Sequence, residues 1–110
     1  MLHTDDIARR FRLVEQAISQ AAQASSAELQ LPSELRDCVQ RIDRLSDGAR
    51  AVLQSGDAAR VRKLVSDMLA LAERAQRVCA NIPQLSAQIR SAVHHMLSQV
   101  MELQHDLRAV

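Results

Sequence analysis

Apolar positions along this chain recur in steps of three and four, and they do so in four separate stretches. The last is the clearest: Ile89, Val93, Met96, Val100, Leu103, Leu107 and Val110 keep that rhythm without a break. On a helix of about 3.6 residues per turn these positions stack into one continuous seam, with the intervening polar residues turned away. A seam of this kind needs an apolar partner, and the rest of the chain supplies three. Ile7, Phe11, Val14, Ile18 and Ala21 draw the first, which thins to alanine and so predicts close approach of a neighbour there. Leu35, Cys38, Ile42, Leu45, Ala49 and Val52 draw the second. Val61, Val65, Met68, Ala72, Ala75 and Cys79 draw the third, widened on one side by Leu64, Leu71 and Val78, as a helix touching two neighbours requires.

Punctuation residues set the boundaries. Thr4 reads as an N-cap, with Asp5 and Asp6 in the first turn, where negative charge is favoured by the exposed amides. The pattern lapses through Ser25 and Ser26, and Pro32 forbids an uninterrupted helix across that region. Pro32 or Ser33 then opens the second helix. Gly56 reads as a left-handed terminator and Asp57 as the next cap; Asn81-Ile82-Pro83 closes the third helix and launches the fourth. Asp47-Gly48 is a common turn dipeptide, yet the second seam stays in phase across it, so one helix is expected, with room for a bend there and a true break as the alternative. The spacing predicts helices over about 4–24, 33–54, 57–80 and 83–109. With two of the three links very short, these form an all-α, antiparallel, up-down-up-down four-helix bundle with coiled-coil-like packing, a single domain over 1–110.

Composition agrees with this and narrows the chemistry. Ala, Leu, Glu, Lys and Arg supply 50 of the 110 residues, near the level of long helices, while two glycines and two prolines leave few turns. Fourteen basic and thirteen acidic side chains leave a net charge of +1, so no overall field favours nucleic acid or an anionic membrane. The N-terminal residues Met-Leu-His-Thr-Asp-Asp lack the pattern of a secretory signal, and no apolar run approaches a membrane span, so a cytoplasmic protein is expected. Thirteen arginines against the single Lys63 point to a GC-rich bacterial genome. Cys38 and Cys79 both fall on seams, where a thiol in a reducing compartment serves as a small buried apolar group.

Several constellations invite a chemical reading, and each has a plainer one. His94 and His105 point away from the last seam and His95 flanks its edge, as solvated histidines do. Glu102 and His105 form a Glu-x-x-His pair, the spacing that resembles di-iron bundles, but that class projects two such pairs inward, with two further glutamates. His95 on a four-helix chain of this length resembles the acceptor of histidine phosphotransfer domains. The lysine and glycine that usually follow are replaced here by Met96-Leu97-Ser98-Gln99. His105-Asp106-Leu107-Arg108 is similar to the start of a histidine-kinase phosphoacceptor box, with Ala109-Val110 in place of its Thr-Pro. Arg41-Ile42-Asp43-Arg44-Leu45 resembles the first helix of all-helical chorismate mutases, without the later Glu-Arg and Lys positions that such an active site needs. No Gly-x-Ser-x-Gly elbow or phosphate-cradling loop occurs.

Basic residues cluster at Arg9, Arg10 and Arg12 and at Arg60, Arg62 and Lys63, but three charges within one turn splay around a helix. Acidic neighbours stand close, so solvated faces and pairing within each helix are expected. Single-strand binding normally adds aromatic platforms, and Phe11 is the only aromatic residue. Leu13, Leu69, Leu97 and Met101 lie off the narrow seams and leave apolar surface for contacts. These observations predict a non-catalytic helical interaction or regulatory module, with no catalytic, cofactor or metal site. Its partner would be another protein or a second copy of the chain, as in a homodimer, with no membrane role. A histidine phosphotransfer-like protein and a weak nucleic-acid-associated helical protein are the alternatives.

Overall fold

The computed structural model describes residues 4–28 and 30–108, and among these the side chains of all but Thr4 and Asp5. Four helices account for 88% of the described residues, and no strand occurs among them. They are α1 (Thr4–Ala27), α2 (Ser33–Gln54), α3 (Ala58–Asn81) and α4 (Ala87–Arg108). Helices of 22 to 24 residues are about 33–36 Å long, so each runs most of the molecule's 43 Å axis. The link Ser55–Asp57 can reach only about 10 Å, so α3 must fold back along α2 rather than start again at its far end. The links 28–32 and 82–86 impose the same reversal. α1 packs on α2, α2 on α3, α3 on α4 and α4 back on α1, while the backbones of the diagonal pairs stay apart. This is the antiparallel four-helix bundle that the seams predict.

The shared interior is built from those seams. Ile18, Leu35, Ile42, Met68, Ile89 and Met96 are among the largest fully buried side chains. Cys38 and Cys79 are buried free thiols, each pushed above its ordinary value chiefly by burial, with Arg74 opposing at Cys38 and Arg90 opposing at Cys79. Positions off the narrow seams also enter the core: Ala17, Ala24, Val39, Leu31 and Leu85 are all buried. Leu69 and Leu97 pack half-buried against it, leaving Leu13 and Met101 as the large exposed apolar residues among those described.

Two helix boundaries differ from the sequence expectation. α1 runs through Ser25 and Ser26 to Ala27 rather than ending near residue 24. Ala24 and Ser25 are buried, and the Ser26 hydroxyl donates back to the Ala22 carbonyl, so the serines continue the helix instead of unwinding it. α4 begins at Ala87, not Pro83. Ser86 Oγ accepts from the Ile89 amide and so occupies the cap position, leaving Pro83 and Gln84 in a turn that drops Leu85 into the core. α2 starts at Ser33 as expected, and passes through Gly48 without interruption. The readings that fell on Thr4 as a cap, on Asp5 and on Val110 lie outside the described side chains.

The two ends of the bundle are finished differently. At the end holding the links 28–32 and 82–86, Ser86 Oγ donates to Glu28 Oε2 at 3.0 Å, joining one link to the other. The Arg90 guanidinium donates to the carbonyls of Ile82 and Leu85, clamping the turn between α3 and α4. Among the described residues, the opposite end holds only the link between α2 and α3.

Candidate functional site at the open end of the bundle

That short link fixes two walls of the site. The Ser55 amide bonds back to the carbonyls of Ala51 and Val52, and its hydroxyl donates to Val52 at 2.6 Å, winding up the end of α2. Gly56 then turns the chain with φ 72°, a left-handed conformation that glycine adopts without steric cost. Asp57 caps α3 by accepting from the amides of Ala59 and Arg60 at 3.1 and 3.3 Å. Arg50, Leu53 and Gln54 at the end of α2 are thereby set beside Ala58, Val61 and Arg62 at the start of α3.

The third wall is α1, which no link joins to α2 at this end. Contact between α1 and α2 is the sparsest of the four helix pairs. A groove of about 670 Å³ opens between them, with Phe11 in its floor, Ile7 and Ala8 on the α1 side, and Leu107 of α4 closing one edge. Of the predicted seam residues that remain only half-buried, Ile7, Val52, Val61 and Leu107 lie toward this end, with Leu45 and Leu71 nearer the middle of their helices. At the other end Leu35, Cys38, Cys79 and Ile89 are sealed. The apolar interior of the bundle therefore continues to the surface here.

Charge around the groove has one dominant sign. Arg12 from α1, Arg50 from α2 and Arg62 from α3 line it with one carboxylate, Glu15. None of the three guanidinium groups has an ion pair or hydrogen bond among the described residues. The basic clusters thus divide by surroundings. Lys63 pairs within its helix with Asp67 at 3.1 Å, as expected. Arg10 departs from the expectation of pairing within the helix: it crosses to α4 and meets Glu102 at 2.8 Å and Asp106 at 2.9 Å. The splay that spaces Arg9, Arg10 and Arg12 around α1 sends Arg10 toward α4 and Arg12 toward α2.

The remaining candidates do not assemble. His94, His95 and His105 are all exposed. His95 borders a shallow depression with Gln20, Gln23, Gln88 and Ser91, in which no carboxylate or cation stands beside the imidazole. Glu102 of the Glu-x-x-His pair is engaged by Arg10. No group of three or more His, Cys, Asp or Glu side chains arranged to hold a metal ion occurs among the described residues. No helix among them is long and apolar enough to cross a membrane.

The sequence patterns displayed each groove residue but not their meeting. Arg12, Arg50 and Arg62 belong to three helices, and nothing in the local spacing of any one of them marks the other two. Comparison with known protein families, curated proteins and solved structures finds no match to this chain.

Proposed function

We propose that this protein is a non-catalytic helical interaction module whose working surface is the open end between α1 and α2. The observation that carries this reading is the coincidence of two features in one place: an apolar groove continuous with the core, and three arginines without partners among the described residues around it. A volume of about 670 Å³ lies within the roughly 300–1,000 Å³ of ordinary ligand-binding clefts. Apolar surface supplies affinity and the arginine rim supplies orientation, a division of labour common to protein interfaces. No nucleophile and base stand together in the groove, so binding without chemistry is the reading it supports.

Affinity capture from the native cell with three forms of the chain tests it. Leu53→Glu places a carboxylate in the groove, whereas Met101→Glu changes an exposed apolar residue on α4. A protein retained by the wild type and by Met101→Glu, but lost from Leu53→Glu with its helicity intact, supports the assignment. Capture indifferent to Leu53→Glu would overturn it. So would phosphate uptake by the chain that His95→Gln abolishes, since that result would assign the relay function instead.

A further inference from the structure

We infer that the occupant of the groove is an amphipathic α-helix of a partner protein, presenting apolar side chains flanked by aspartate or glutamate. This inference rests on the interaction-module reading and adds the chemistry of the partner. Three physical features lead to it.

The first is shape. The groove lies at one end of the boundary between two antiparallel helices, the least closely packed pair of the four. Ile7, Phe11, Leu53 and Val61 offer an apolar bed of the kind that receives side chains spaced i, i+3 or i+4, and i+7 on an incoming helix. Such a helix would continue the seam packing that already joins α1 to α4 and α2 to α3.

The second is charge complementarity. Arg12, Arg50 and Arg62 come from three different helices, so their guanidinium groups stand around the groove rather than on one side of it. Carboxylates flanking a central apolar stripe would meet basic groups wherever they emerged. Lysines in the same places would face like charge, relieved only by Glu15. Guanidinium also offers planar, paired donors to a carboxylate, which directs and orients an acidic side chain.

The third is that, among the described residues, the carboxylates of α4 at this end and of the α3 cap are engaged elsewhere, which leaves Glu15 as the one carboxylate in the groove. Glu102 and Asp106, the carboxylates on α4 near this end, are held by Arg10 on the other side of α1. The carboxylate of Asp57 is committed to the amides of α3. Three guanidinium groups against the single carboxylate of Glu15 leave net positive charge among the described residues for a carboxylate from outside.

The test uses the full chain and a fluorescein-labelled 18-residue peptide built from leucine at i, i+3, i+4 and i+7 with glutamate on the flanks. A second peptide has every glutamate replaced by lysine. Fluorescence anisotropy should show the acidic peptide binding at least about tenfold more tightly than the basic one. That preference should collapse in an Arg12→Ala, Arg50→Ala, Arg62→Ala variant and shrink with added salt, as exposed ion pairs do. Circular dichroism of the variant, whose changes are all on exposed side chains, checks that the bundle persists.

Equal binding of the two peptides, or no binding of either, overturns the proposal. It is also overturned if laurate binds in the groove while the acidic peptide does not, or if sedimentation shows a second copy of the chain covering this face. The two failures are distinguishable. Capture that depends on Leu53 with no preference for the acidic peptide rejects the partner chemistry and leaves the interaction surface standing, whereas capture independent of Leu53 rejects the surface itself.

Discussion

Arg10 on α1 donates through Nε to Asp106 on α4, 2.9 Å away, while its Nη1 reaches Glu102 at 2.8 Å. One guanidinium thus spans a helix turn of the neighbouring helix, where the start of α1 and the end of α4 meet. Both acceptors remain partly in water, with Glu102 more than half exposed, which limits the value of the pair. Arg10→Ala should lower stability by about 1 kcal/mol in low salt, and the difference from wild type should narrow as ionic strength rises. Urea unfolding at two salt concentrations measures both.

The two glycines should respond in opposite directions to alanine. Gly48 lies inside α2 and a Cβ there would meet nothing within 4 Å, so Gly48→Ala should stabilise the protein by roughly 0.5–1 kcal/mol. Space is equally open at Gly56, but its φ of 72° is one that residues with a Cβ adopt at a cost of about 1–2 kcal/mol. Gly56→Ala should destabilise by about that amount. Thermal melts of the two variants beside wild type give the signs directly.

Leu103 and His105 stand two residues apart on α4 and should contribute very differently. Leu103 is 1% exposed within the core cluster, and truncating a buried leucine to alanine typically costs about 2–5 kcal/mol. His105 is exposed, where substitutions usually change stability by no more than about 0.5 kcal/mol. Denaturant midpoints of Leu103→Ala and His105→Ala measure the contrast; equal losses would contradict the orientation of α4.

The buried thiols give the protein an alkaline limit. Burial raises both Cys38 and Cys79 above 9.0, so in alkali the unfolded chain releases these protons before the folded one does. The folded state then holds more protons than the unfolded state, and stability falls as pH rises. The contribution is fully present below about pH 9 and is lost as pH climbs through the raised values. A Cys38→Ala, Cys79→Ala variant should show a shallower decline of stability between neutral pH and pH 10. In the wild type at neutral pH, both thiols should react with a thiol reagent far more slowly than after denaturation.

The seams were legible in the sequence because helical periodicity and burial are coupled: Val14, Ile42, Met68 and Val93 sit on the axis of each apolar stripe and are fully buried. Val39 was harder to read, because Cys38 and Val39 both keep the three-and-four spacing between Leu35 and Ile42, and the structure buries the two of them together. Leu31 and Leu85 precede their helices, yet each stands four residues before the first seam residue, Leu35 or Ile89, and extends that seam past the helix end. The start of α4 was ambiguous locally, since Pro83 and Ser86 each suit a helix beginning, and the bond from the Ile89 amide to Ser86 identifies the cap. The groove was invisible for a different reason. It depends on how far α1 and α2 separate, a property of pairs of helices, whereas each seam is a property of one.

The unequal finish of the two ends has a kinetic consequence. Where Ser86 meets Glu28 and Arg90 clamps the turn before α4, opening a helix requires several polar contacts to break along with a sealed core. At the other end the last turns of α2 carry half-buried Val52 and Leu53, with sparse support from α1. Backbone amides there are protected by local openings of low free energy, and those near Leu35 and Ile89 by something close to global unfolding. Deuterium should therefore enter the bundle as a front, starting around Ala51–Gln54 and reaching the tied links last.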